Sequence, residues 1–216
     1  MIDDAALRGQ IRQHLFTSVI GDVMDTQGLR RQFLPPSIRA LSPNAMLVGR
    51  AMPVREEDSD RGDFGLMFRA LDDLKKDEVY ICTGASPRYA LWGELMSTRA
   101  RALGAAGAVV DGYHRDTNGI LAVGLPVFSA GSYAQDQRGR GRVADFRCEI
   151  VFGNGVKVAP GDIIVGDIDG VLVIPRAHLQ EIVGLALAKV EGEEKVRRLI
   201  QEGEGTQAIF DRTGIM

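Results

Sequence analysis

The chain has 216 residues, enough for one sizeable domain and barely enough for two. Its 45% hydrophobic and 25% charged composition is ordinary for a folded domain. A net charge of −3 with no dominant Lys/Arg block does not suggest a nucleic-acid partner, so none is expected, and the short Arg138, Arg140, Arg142 patch is interleaved with glycine.

The opening Met-Ile-Asp-Asp-Ala-Ala-Leu lacks a basic region followed by an apolar core, so it is not a signal peptide. No apolar run spans a bilayer, so no membrane partner and a cytoplasmic setting are expected. Leu7, Ile11 and Leu15 give a helical spacing over Asp4 to Phe16. Thr17-Ser18 can cap a second helix running to about Gln27 and stopped by Gly28. Pro35-Pro36 breaks the chain. Ala45 to Val54 reads as a strand, Glu56 to Asp63 as a charged loop, Leu66 to Leu74 as a short helix and Glu78 to Thr83 as a strand. After the loop Gly84-Ala85-Ser86-Pro87 a helix ends near Gly104, with Leu91, Leu95, Thr98 and Ala102 on one face. Ala105 to Val110 reads as a buried strand, and Leu125 to Ser129, Asp145 to Phe152 and Val156 to Val158 as further strands. The polar, Gly-rich and Arg-rich stretch Gly131 to Arg142 reads as a mobile loop. Gly153-Asn154-Gly155 fits a hairpin turn, since no third glycine follows and no helix begins there. Ile163 to Val165 and Val171 to Ile174 flank a tight turn in which Asp167 and Asp169 serve as turn residues. A long helix runs from about Arg176 to Gln201. Cys82 and Cys148 fall in strand-like runs and read as buried thiols. The order fits a single mixed α/β domain.

Gly112-Tyr113-His114-Arg115-Asp116 carries most of the chemistry. It follows a buried strand, at the carboxyl edge where open α/β sheets bind ligands. Asp116 offers hard oxygens to a divalent metal, and Arg115 a planar fork for a carboxylate. The same pair also reads as a surface ion pair closing a turn. Glu94 is separated from Arg115 by 20 residues, a distance that one helix and one strand would fold back. That places Glu94 beside Asp116 as a second metal carboxylate, or leaves it as a first-turn helix acid. A helix beginning near Gly93 points the N–H groups of Glu94, Leu95 and Met96 outward, a seat for a carboxylate. His114 reads as a neutral structural histidine, and His14, His114 and His178 lack zinc-ligand spacing. Asp22, Asp25 and the acids Glu191, Glu193 and Glu194 read as solvated helix faces, and Trp92 and Met96 as packing or pocket residues.

Glu94 followed after 20 residues by Arg115-Asp116 resembles the signature of the RraA-like family. That family holds a regulator of ribonuclease E activity and class II 4-hydroxy-4-methyl-2-oxoglutarate and 4-carboxy-4-hydroxy-2-oxoadipate aldolases. Gly49 to Val54, Trp92 to Met96, Gly107 to Gly112, Val158 to Asp162 and Asp167 to Pro175 are similar to further family blocks, over roughly residues 17 to 203. The resemblance implies an α/β/β sandwich like the swivelling phosphohistidine domain, in trimers or hexamers. It implies that Asp116 anchors Mg²⁺ or Mn²⁺, that Arg115 binds the pyruvyl part of a 2-oxo acid, and that the Leu95 and Met96 N–H groups hold its carboxylate. It also implies an acid from a neighbouring subunit's C-terminal helix, matched by Glu194 with Glu191 as fallback. The implied activity is a lyase releasing pyruvate, with oxaloacetate decarboxylation as a second reaction. Other readings are a non-catalytic regulator of a ribonuclease or helicase, a methyltransferase, and related chemistry on another acid. Two positions depart from the pattern: Glu94 replaces the usual Asp, and Gly119 replaces an acid.

Overall fold

The computed structural model describes residues 4–86 and 88–215. Met1, Ile2 and Asp3 of the opening segment and Pro87 of the expected loop lie outside them. Helices α1 (Asp4–His14) and α2 (Thr17–Thr26) come first. Strands β1 (Arg39–Ala40), β2 (Leu47–Asp58), β3 (Glu78–Thr83), β5 (Gly107–Val110), β7 (Val127–Ser129), β8 (Gly141–Phe146), β11 (Ile163–Asp167) and β12 (Gly170–Ile174) form one eight-stranded sheet. Its order is β1-β7-β5-β3-β2-β11-β12, with β8 also paired to β2. The β2, β3, β5 and β7 neighbours are parallel, while β11, β12 and β8 run antiparallel to theirs.

Alternation along the strands makes two apolar faces. On one face Met52, Val54, Tyr80, Cys82, Ala108 and Val110 meet α3 (Met67–Asp72), α4 (Glu94–Ala102) and α5 (Thr117–Val123). Further along that face Val48, Ile163, Val165, Leu172 and Ile174 meet α1, α2 and the long α6 (Leu179–Gln201). On the other face Ala51, Val79, Ile81, Val109 and Phe128 pack under Leu34, Ile38 and the hairpin of β9 (Ile150–Val151) and β10 (Lys157–Val158). The layering is helix, sheet, small sheet. A last helix, α7 (Thr206–Thr213), follows α6.

Several expectations are corrected. Glu56 to Asp58 continue β2 rather than opening a loop, because β8 pairs with them around a register shift at Arg55/Glu56. Thr17 does not cap α2 through its own side chain; its N–H and hydroxyl donate to Asp167 at 2.7 and 2.6 Å. Asp167 therefore ties the turn before β12 to a helix start. The face predicted for α4 is wrong: the helix begins at Glu94, buries Ser97 and Ala100, and leaves Leu95 82% exposed. Leu91 belongs instead to a short strand, β4 (Ala90–Trp92). Gly131 to Arg142 is no free loop. Its backbone bridges β6 (Tyr113–His114) and β4, through His114↔Ser132 and Ala90↔Asp136, and its last two residues start β8. Cys82 is buried in β3, whereas Cys148 lies half-buried between strands; both are free thiols. Among the described residues no helix is long and apolar enough to cross a membrane.

Candidate active site

The site sits on a two-stranded parallel unit. β4 pairs with β6, aligning Ala90 with Tyr113 and Trp92 with His114. Each strand feeds a helix: α4 starts right after β4, and α5 right after β6. The Arg115 N–H donates to the Trp92 carbonyl at 2.9 Å, which brings Arg115-Asp116 alongside Gly93-Glu94. The fold-back inferred from the 20-residue spacing is therefore real.

Asp116 occupies the N-cap of α5 in a left-handed conformation, φ 59° and ψ 39°. A non-glycine residue held there stores about 1 kcal/mol of backbone strain, a frequent sign of a functional position. Its carboxylate overhangs Gly93: a Cβ built on Gly93 would fall 2.8 Å from Asp116 Oδ2. Gly93 is the N-cap of α4 and offers no side chain to the first turn. The leading N–H groups of α4, including those of Leu95 and Met96, consequently lack intrahelical acceptors. The Arg115 guanidinium lies between two carboxylates, 3.7 Å from Asp116 Oδ2 and 3.5 Å from Asp136 Oδ1. Arg115 and Asp116 side chains are 39% and 48% exposed, so both remain open to a ligand.

A cavity of about 230 Å³ joins these groups. Gly93, Leu95, Met96, Arg115 and Asp116 line it, with Asp136 and Gln137 from the segment that straps β4. Phe64, Met67 and Trp92 supply apolar wall. Sequence reasoning missed Asp136 and Gln137, because a loop more than 20 residues past Arg115 gives no local sign of where it returns. A larger cleft of about 600 Å³ lies beyond the strap, lined by Asp58, Arg88, Tyr89 and Arg140. It does not include Arg115 or Asp116, whereas Arg115, Asp116 and Asp136 all line the smaller cavity.

Glu94 is exposed and does not line the cavity; its carboxylate lies against Gly119 in the first turn of α5. Glu194 lies on the exposed side of α6, ion-paired with Arg197. Helix α6 packs on α1 and α2, so one chain does not bring Glu194, Glu193 or Glu191 to Arg115-Asp116. Glu193 instead pairs with Lys189, which also holds Asp22. His114 is buried between the hydroxyls of Ser129, 2.7 Å away, and Thr117, 3.1 Å away. Burial lowers its pKa, in keeping with a neutral structural ring.

Among the described residues no group of three His, Cys, Asp or Glu side chains could enclose a metal ion. The donors that exist are hard oxygens, with the Asp116 carboxylate cradled over a bare glycine. That set suits a Mg²⁺-like ion, which takes one or two carboxylates and keeps most of its shell for water and substrate. It does not suit a closed zinc cage.

The α/β fold thus brings Arg115, Asp116 and the start of α4 together beyond the ends of two parallel strands. The chain belongs to the RraA-like (Aldolase/RraA) family, whose model matches residues 17–173. It is 31% identical over 187 residues to protein DlpA of Legionella pneumophila, covering 85% of this chain but only 30% of that much longer protein. It is 32% identical over 188 residues to a Halalkalibacterium halodurans protein provisionally named 4-hydroxy-4-methyl-2-oxoglutarate aldolase, covering 86% of this chain and 85% of that one. In fold it matches Streptomyces coelicolor RraAS2, described as an unusual member of the RNase ES inhibitor RraA family. The TM-score is 0.81 at 23% identity, over 90% of this chain and 97% of that one.

Proposed function

We propose that the protein is a divalent-metal-dependent lyase that cleaves a carbon–carbon bond of a 2-oxo acid and releases pyruvate. The 4-hydroxy-4-methyl-2-oxoglutarate aldolase type, with oxaloacetate decarboxylation as a second activity, is the closest description. The observation that carries this reading is the convergence of Asp116, Arg115 and the open start of α4 on one cavity. The aldolase name of a similar-length relative supports it. Asp116 would hold Mg²⁺ or Mn²⁺, with Glu94 reaching it from the rim and Glu194 reaching a neighbouring copy's site in a trimer or hexamer. The layered fold's likeness to the swivelling phosphohistidine domain, and a cytoplasmic setting, belong to the same reading.

When bound, the metal supplies Lewis-acid stabilisation of negative charge on the 2-keto oxygen. The chain's own groups do the rest. The Leu95 and Met96 N–H groups bind the substrate's C1 carboxylate. Arg115 holds the pyruvyl portion and opposes the same developing charge. Glu94, at the rim beside Gly119, orients the water that takes the C4 hydroxyl proton. The O–H electron pair becomes the new C4 carbonyl, the C3–C4 bond breaks, and its electrons pass to C3. Protonation of C3 completes pyruvate. Phe64, Met67 and Trp92 keep bulk water from that carbon.

Equilibrium binding of Mn²⁺, followed by the spin-resonance signal of the free ion, tests the metal site. Asp116→Ala is expected to weaken binding at least tenfold, and pyruvate to tighten it in the wild-type protein only. Unchanged Mn²⁺ affinity in the variant would remove Asp116 from the reading.

A further inference from the structure

Behind the cavity lies a buried carboxyl that the reaction above does not use. Glu56 points from β2 into the helix-covered face, beside Val54, and is 2% exposed. Its partner is an amide, not a cation: Gln137 Nε2 donates to Glu56 Oε2 at 2.8 Å. The other oxygen, Oε1, is buried without a partner, as is the hydroxyl of Tyr80. Tyr80 and Cys82 of β3 and Tyr89 face Glu56; burial holds each of them neutral, and a charge on Glu56 would add to that. Asp58 accepts the Tyr89 hydroxyl, and Asp111 lies near Cys82. Arg88 acts on Tyr89 and Asp58, but among the described residues no cation forms an ion pair with Glu56.

Gln137 is also a wall of the cavity and is 3% exposed. Its neighbour Asp136 faces Arg115. The segment is held on two sides only a few residues apart. The Ala90 N–H donates to the Gln135 carbonyl at 2.8 Å, and Glu56 holds Gln137. The Gln137 carbonyl then accepts the N–H groups of Arg140 and Gly141, starting β8.

We propose that Glu56 is a positioning residue of the cavity, acting in its uncharged form: it holds Gln137, and through Asp136 it sets Arg115 for an anionic ligand. Loss of the proton would leave a carboxylate among Tyr80, Cys82 and Tyr89 with one oxygen unpaired. Such a charge is relieved by moving toward water, which draws Gln137 with it and slackens the strap. Burial raises the Glu56 pKa to about 8, the Gln137 bond opposing, so this change falls within the working range of many enzymes. The anion-binding consequence rests on the lyase reading, but the coupling of Glu56 to the cavity wall does not.

Trp92 is the one tryptophan of the chain, lines the cavity and packs at a tilt against Tyr80 with ring centres 5.0 Å apart. Its fluorescence therefore reports the cavity without any ligand. The wild-type protein is expected to show a transition near pH 8 that Glu56→Gln abolishes. Calorimetry with Mg²⁺ and oxalate then reads the consequence. Wild-type affinity is expected to fall about tenfold per pH unit above that transition, while Glu56→Gln binds evenly from pH 6 to 10. Gln137→Leu is expected to bind about tenfold more weakly already at pH 7. A fluorescence transition that is absent from the wild type or persists in Glu56→Gln overturns the proposal. So does an equal alkaline fall in oxalate affinity in both proteins. Absence of oxalate binding to the wild type at every pH, with the fluorescence transition intact, counts against the lyase reading and leaves the Glu56 coupling standing.

Discussion

The Glu94 carboxylate lies over the bare Cα of Gly119, so close that a Cβ there would fall 2.4 Å from Oε2 and 2.5 Å from Cδ. The two positions that depart from the family pattern are thus one feature. A longer acid on α4 fills space that a side chain on α5 would take, and the carboxylate arrives from the other helix.

Gly119→Ala should separate stability from activity. The position is helical, so alanine is expected to stabilise α5 by up to about 1 kcal/mol. Because Glu94 is exposed and flexible, it yields to the new methyl group and its carboxylate is displaced. Thermal melts should hold or rise while kcat/KM falls roughly tenfold or more. An unchanged kcat/KM would show that the placement of Glu94 is immaterial.

Asp116 is held at φ 59°, so its replacements should differ in stability but not in activity. Asp116→Ala keeps the left-handed strain and loses the Arg115 contact, costing about 1 kcal/mol. Asp116→Gly relaxes the strain and should match the wild-type melting curve more closely. Both should lack metal-dependent turnover. Denaturant titration beside an activity assay checks both halves.

Glu56 bears on stability as well. Its carboxyl has a raised pKa, from the ordinary 4.5 to about 8, so the folded state keeps a proton that the unfolded state gives up. Stability attributable to this group therefore falls as pH rises from about 4.5 to 8 and is constant outside that window. Glu56→Gln should equal the wild type near pH 4 and exceed it by up to a few kcal/mol at pH 8. Urea titrations across that range would contradict this if the difference did not grow with pH.

Arg147 joins the end of β8 to β3 and to the residue after α3. Its guanidinium holds both oxygens of the nearly buried Glu78 at 2.9 Å and the Asp73 carboxylate. Removing it leaves Glu78 with its Lys75 N–H bond but no cation, so Arg147→Ala should cost about 2–3 kcal/mol. The Arg147 hydrogen bond lowers the Asp73 pKa, so this support is present above the ordinary carboxylate range and fades as pH falls through the lowered value. The wild-type margin over the variant should shrink in acid, as melts at several pH values would show.

Much of this fold is legible in local pattern. Glu78–Thr83, with the apolar run 79–82, is a central strand with every residue buried, and Gly153-Asn154-Gly155 closes the β9–β10 hairpin. Arg115-Asp116 folds back beside Gly93-Glu94 as the spacing implies, but the Glu94 carboxylate lies against Gly119 and does not line the cavity. Local pattern fails where partners are distant in sequence. The charges of Glu56–Asp58 signal solvent, yet β8 pairs with them from more than eighty residues away. Gly131 to Arg142 has the composition of a free loop, yet its backbone bonds to β4 and β6, which fixes Asp136 and Gln137 in the cavity wall. The face of α4 was misjudged because Leu91 precedes the helix, so the apparent period ran across a strand-to-helix junction.

The most direct measurement is pyruvate release from 4-hydroxy-4-methyl-2-oxoglutarate and from oxaloacetate, with Mg²⁺ or Mn²⁺ and with chelator, in the wild type and Asp116→Gly. Metal ions alone decarboxylate oxaloacetate, so the variant sets the baseline. The account predicts release from at least one of these acids that needs both the metal and Asp116. Release that continues unchanged in the variant, or none above its baseline from either acid, would contradict it.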